Sequence, residues 1–199
     1  MGRHLVRGTA AALAGAAVAA AVALATTDPK SLVLPKSDFP AGTRAGTAYG
    51  VKGPTSSTYT AAFNIRPGDA RREEDVTIQV WVAKDVTTAK AIYTQTIASY
   101  TGKGPAIGLS KNAFKGEAVL KLPSYGDEQF ADYLPNPQRP HGQLIVRMGS
   151  VVWYLTVENC TPLAFSCYGT SRTEPAIGKA RATAELKAYG AKEKARVGR

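Results

Sequence analysis

The chain has 199 residues, 44 % of them hydrophobic and 20 % charged, which is the length of one domain with a core of its own. Its formal charge of +10 attracts it to anionic envelopes and polymers. The densest basic stretch, from Lys179 onward, is interrupted by Glu185 and Glu193, so it reads as a solvated helix and not as a nucleic-acid patch.

Residues 1–25 predict a secretory signal peptide. Arg3 and Arg7 precede an uncharged, Ala-rich run from Thr9 to Ala25. Ala23-Leu24-Ala25 puts small residues at the two positions a signal peptidase inspects. An uncleaved membrane anchor is the alternative, but the run is short and mostly Ala, which is weakly apolar. Arg3 and Arg7 are not adjacent, so there is no twin-arginine signal. No Cys follows Ala25, so lipid attachment by the lipoprotein route is not expected. The expectation is a secreted protein, free or cell-wall associated, with no stable membrane anchor and a single domain at 26–199.

Residues 28–46 form a Pro/Gly-rich entry segment with a short apolar piece. Residues 57–65 alternate, with Tyr59, Ala61, Phe63 and Ile65 on one face of a strand. Residues 66–75 read as a turn with a charge run. Residues 76–84 predict a strand with Val76, Ile78, Val80 and Val82 inward. Asp85 then caps a helix to about Thr101, with Ala89, Ile92, Tyr93, Thr96, Ile97 and Tyr100 at helical spacing. "GKGPAIG" ends it. Residues 115–122 and 127–134 read as two more strands, followed by the proline-rich loop "PNPQRP".

The most regular stretch is "GQLIVRMGSVVWYLTVE", residues 142–158. Gly149-Ser150 suits a two-residue hairpin turn, because Gly accepts a positive φ at the first central position. That turn pairs Met148 with Val151, Val146 with Trp153 and Leu144 with Leu155. These six side chains then share an apolar face, continued by Val157. Gln143, Ile145, Arg147, Val152, Tyr154, Thr156 and Glu158 share a mixed one.

Cys160 and Cys167 predict one structural disulfide in an exported chain. A redox pair would usually need Cys-x-x-Cys. A metal centre lacks ligands, since only His141 remains as a histidine after the leader. Thr173 caps a final helix from about Glu174 to Tyr189, with Pro175 in its first turn. Hairpins dominate and no βαβ repeat is visible. The fold class is therefore α+β: a twisted antiparallel sheet with helices packed on it, on both faces, which would explain why the second face of strand 76–84 carries Trp81.

"SLVLPKSDFPAGT" resembles the opening of exported actinobacterial proteins. "YGDEQFADY" followed by "LIVRMGSVVWYLTVE" is similar to their Gly-Asp-Glu strand and Arg-x-Gly hairpin. That group includes small lipoproteins and the extracellular sensor domains of mycobacterial receptor kinases, and their fold resembles that of the photosystem subunit PsbP. The resemblance spans most of residues 31–190. It implies a PsbP-like fold and a binding or sensing role in the cell envelope. The chain departs in lacking a lipobox Cys and a kinase domain, which points away from kinase-type signalling.

Two functional readings follow. The first is a non-catalytic binding or sensing module whose site is the mixed sheet face: Gln79, Trp81, Arg147, Tyr154 and Thr156. It would take a partly apolar ligand with an anionic or hydroxyl group, the partner being a small molecule, an envelope polymer or an envelope protein. Against it stands the possibility that the last helix, with Ala180, Ala182, Ala184 and Ala188, packs there and the aromatics are core. The second reading is a small hydrolase using a carboxylate pair, Glu128 with Asp132, which share a strand face, whereas Asp127 points the other way. No Gly-x-Ser-x-Gly elbow is present, His141 is expected in a solvated loop, and "GKGPAIG" lacks the Lys-Ser/Thr ending of a phosphate loop. No acid–base set assembles from the sequence, so a non-enzyme with no cofactor and no metal is expected.

Overall fold

A computed structural model describes residues 27–65, 74–100, 117–135, 140–158 and 177–198. The leader, the 66–75 charge run except Glu74 and Asp75 (which open a strand), the GKGPAIG stop, most of the PNPQRP loop, the Cys160–Cys167 pair and Thr173 lie outside these residues.

A short helix α1 (Pro29–Leu32) opens the described chain, capped where the Asp28 carboxylate accepts the Lys30 N–H at 3.0 Å. A 3-10 turn, Lys36–Asp38, follows. Then come β1 (Arg44–Lys52), β2 (Ser56–Ile65), β3 (Glu74–Ala83), helix α2 (Val86–Tyr100), β4 (Ala118–Val119), β5 (Glu128–Leu134), β6 (His141–Met148), β7 (Val151–Glu158) and helix α3 (Lys179–Val197). The strands form one antiparallel sheet in the order β1-β2-β3-β7-β6-β5-β4. The fold is α+β.

The β6–β7 hairpin has the expected register: Met148 faces Val151, Val146 faces Trp153 and Leu144 faces Leu155. Gly149 takes φ +59°, the conformation that selected a glycine for the first turn position. Asp85 caps α2 as expected, its Oδ1 accepting the Thr88 N–H at 2.7 Å.

Strand alternation sorts the apolar residues into two clusters. The larger holds Phe63, Ile78, Val80, Val146, Trp153 and Leu155 together with Leu32, Leu34 and Phe39 of the entry segment and Ala182, Leu186 and Tyr189 of α3. Phe39 stacks on Phe63 with ring centroids 4.4 Å apart and lies 5.0 Å from Tyr189. The smaller cluster holds Ile145, Val152 and Tyr154 with Ala89, Ile92, Tyr93 and Ile97 of α2. Ile92 belongs here, apart from Val80 and Trp153.

Several expectations change. β1 overlaps only the end of the 28–46 entry segment and continues where no strand is expected; all nine of its residues are exposed, so no apolar alternation marks it. The strand expected at 115–122 is two residues long, extended by a Leu120 N–H bond to the Ala131 carbonyl at 2.9 Å. His141 is no loop residue: it opens β6, half-buried, opposite Glu158 and Leu134. The last helix begins at Lys179, with Gly178 and not Thr173 at its N-cap, and runs on past Tyr189 to Val197.

The basic end of α3 is a clamp. Lys192 donates to the Asp38 carbonyl, Arg196 to the Ser31 carbonyl at 2.9 Å and Lys194 to the Ser124 carbonyl at 3.0 Å. Nearer its start, Arg181 pairs with Glu74, which is buried at the head of β3. Part of the positive charge that reads as a solvated face therefore ties α3 to the entry segment and the sheet.

Candidate functional site

The mixed sheet face is built from cross-strand rows. Tyr49, Thr60, Gln79, Tyr154, Ile145 and Phe130 lie in one row, each opposite the next across β1, β2, β3, β7, β6 and β5. Val51, Thr58, Trp81, Val152, Arg147 and Glu128 form the adjacent row. Directly opposed residues point to the same side of a pleated sheet, so all twelve side chains share this face.

Helix α2 packs against β3, β6 and β7 on this face. Between it and β2–β3 is a cleft of about 400 Å³. Ser56, Thr58, Gln79 and Trp81 form its floor; Ile92, Gln95, Thr96 and Ser99 form its wall. Thr96 donates to the Ile92 carbonyl at 2.7 Å, which holds its side chain against its own helix. None of the eight lining side chains carries a charge. The lining combines an indole, an aliphatic side chain and six uncharged hydrogen-bonding groups.

Gln79 and Trp81 of the expected site line this cleft; Arg147, Tyr154 and Thr156 do not. Tyr154 is buried beneath α2, with its hydroxyl 3.3 Å from the Gln143 amide oxygen, to which it donates. Thr156 is buried one pleat further along.

Arg147 is also buried, and its Nε and Nη1 donors are taken. Nε donates to Glu128, directly opposite across β5–β6. Nη1 donates to Asp127 at 2.9 Å and to the Gly149 carbonyl at 3.0 Å. The same Asp127 oxygen accepts the Gly149 N–H at 2.8 Å. Burial alone would lower the guanidinium pKa, but Glu128 and Asp127 outweigh it and raise it. This ion cluster fastens the hairpin turn to the start of β5. Burial, then the Glu128 charge, pushes the nearby Tyr93 hydroxyl up to about 12, with Arg147 opposing.

The carboxylates considered for hydrolysis are separated. Glu128 is half-exposed and held by Arg147. Asp132 is fully buried, four residues along the strand, about 13 Å away at the rise of an extended chain. That exceeds the spacing of either glycosidase geometry. Burial, together with the neighbouring Glu117, pushes the Asp132 carboxyl up to about 7 against the opposing pull of the Gln143 amide. These neighbours act on it across space: neither carboxyl oxygen closes a hydrogen bond of normal geometry.

The sequence singles out Gln79 and Trp81 through the polar and aromatic side chains on the second face of β3. It gives no sign that Gln95 and Ser99 oppose them, because that depends on how α2 lies across the strands. Among the described residues, no group of three His, Cys, Asp or Glu side chains is placed to hold a metal ion, and no helix is long and apolar enough to cross a membrane.

No family model matches the chain, and no curated protein matches it. It is similar to the solved structure of an uncharacterised protein from Mycobacterium smegmatis at 12 % identity and a TM-score of 0.33, with 84 % of this chain and 83 % of that one covered. That degree of likeness carries neither fold nor function across.

Proposed function

We propose that this protein is a non-catalytic binding module, exported to the cell envelope, that takes a neutral hydroxyl-bearing ligand such as a sugar ring in the cleft between α2 and β2–β3. The observation that carries this reading is the chemistry of the cleft. In a chain of net charge +10, its lining offers hydroxyls, amides and one indole. Hydroxyls and amides both donate and accept, so they match groups that do the same. The Trp81 ring supplies flat apolar area for the carbon face of a sugar. No carboxylate, imidazole or amine lines it to move a proton, which favours binding over catalysis. The separation of Glu128 from Asp132 also weighs against the hydrolase reading.

The Ala-rich leader supports export. Entry-segment and α3 residues in one apolar cluster, and α2 residues in the other, support the reading of a sheet clad on both faces in the PsbP manner.

The test is a titration of the mature protein, residues 26–199, with maltose, cellobiose and diacetylchitobiose, followed by Trp fluorescence and calorimetry. Saturable binding of at least one sugar, lost in Trp81→Ala and weakened in Gln95→Ala, is expected. A folded Trp81→Ala protein that binds as well as the parent, or a parent that binds none of the three, would overturn the proposal.

A further inference from the structure

We infer that the ligand is a polymer: a neutral polysaccharide that leaves the cleft, crosses β2 and meets a second stacking residue, Tyr49, at the sheet edge. This rests on the cleft being a sugar site and extends it. Trp81 lies opposite Thr58, and Thr58 opposite Val51; Gln79 lies opposite Thr60, and Thr60 opposite Tyr49. The floor of the cleft therefore continues without a step onto β2 and β1. Helix α2 packs chiefly on β3, β6 and β7, and Tyr49 and Val51 are left 55 % and 61 % exposed. Exposed large apolar side chains set side by side on one strand call for a partner more than isolated ones do.

The spacing selects the length of the occupant. Tyr49 is two strands and one pleat from Trp81, about 12 Å between α-carbons. One pyranose ring cannot touch both aromatics, whereas an oligosaccharide of three or more units spans them. The groups between the rings are hydroxyls. Thr60, between Tyr49 and Gln79, is buried, and its hydroxyl has no hydrogen-bond partner within the protein.

Charge selects the class. Lys52 follows Val51 on β1, but alternation turns it to the opposite face with its neighbour Ser57. The path from Trp81 to Tyr49 is therefore uncharged in a strongly basic protein. An anionic polymer would be drawn to the lysines and arginines elsewhere and away from this face.

Maltose, cellobiose and diacetylchitobiose, each compared with its hexamer, form the test, on the mature parent, Tyr49→Ala and Trp81→Ala. Tyr49 is exposed, so its truncation leaves the fold intact. For whichever sugar binds, the hexamer should bind the parent at least ten-fold more tightly than the dimer. Tyr49→Ala should erase about ten-fold of the hexamer affinity and leave the dimer unchanged. Trp81→Ala should abolish both. Equal affinities for dimer and hexamer, or a Tyr49→Ala protein that keeps the hexamer preference, would overturn the polymer inference while leaving the cleft as a sugar site. Trp81-independent binding of every sugar would overturn both. Salt-sensitive binding of polyglutamate that competes with the hexamer would overturn the neutral class.

Discussion

Gly190 of α3 lies so close to Leu144 of β6 that a Cβ on it would sit 2.9 Å from the Leu144 Cδ2 atom and 3.2 Å from the Tyr125 ring. The glycine is there because helix and sheet touch at that point. It does not stop the helix, which continues for seven residues to Val197. Gly190→Ala should therefore destabilise the protein by about 1–3 kcal/mol through overpacking, despite the better helix propensity of alanine. Chemical denaturation would show it. A stabilised variant would mean that the helix stands further off the sheet.

Arg147 fastens the hairpin to Asp127 and Glu128, so Arg147→Ala should cost stability before it costs binding. Its buried stem loses packing, but both carboxylates are about half-exposed and can be resolvated. The expected loss is about 1–3 kcal/mol. Sugar binding by the folded fraction should be unchanged, as calorimetry below the melting range would report. A stable variant that no longer binds would return Arg147 to the ligand site.

Trp153 is fully buried in the larger cluster, with Tyr125 6.3 Å away between ring centroids. Trp153→Ala should cost about 3–5 kcal/mol. Trp153→Phe should cost well under half of that. It keeps a large ring and removes an indole N–H that has no hydrogen-bond partner. Equal losses in denaturant melts would contradict this.

Much of the sheet is legible because β3 buries one side chain in two, β2 alternates towards its end, and β6 and β7, though buried on both faces, carry one wholly apolar face whose register Gly149 fixes. β1 is not, since alternation marks a strand only when one face is buried. Arg147 reads as a ligand group because Asp127 and Glu128 are distant in sequence and meet it only once β5 pairs with β6. Gly190 carries the same letter as a helix stop, and only the approach of Leu144 tells the two roles apart. Two of the eight lining residues of the cleft are legible: β3 displays Gln79 and Trp81 on its second face. The wall from Gln95 to Ser99 requires knowing which side of α2 meets the strands.

Glu193 gives stability an inverted pH dependence. Its side chain lies buried on α3, and burial pushes its carboxyl up to about 8 from an ordinary 4.5. The Leu34 backbone and the Arg196 charge pull it down, and Asp38 adds to the rise. Between these two values the unfolded chain has released a proton that the folded protein keeps. The native state binds more protons, so stability is full below about pH 4.5 and is lost as the pH rises through 8. Asp132, raised to about 7, contributes with the same sign over a window that closes earlier. The parent should melt several degrees higher at pH 5 than at pH 8.5. Glu193→Gln, which cannot ionise, should raise the melting temperature at pH 8.5 and flatten the profile. Adding Asp132→Asn should remove what slope remains below pH 7. A parent whose melting temperature rises from pH 5 to pH 8.5 would mean that the Glu193 carboxyl reaches water in the folded state.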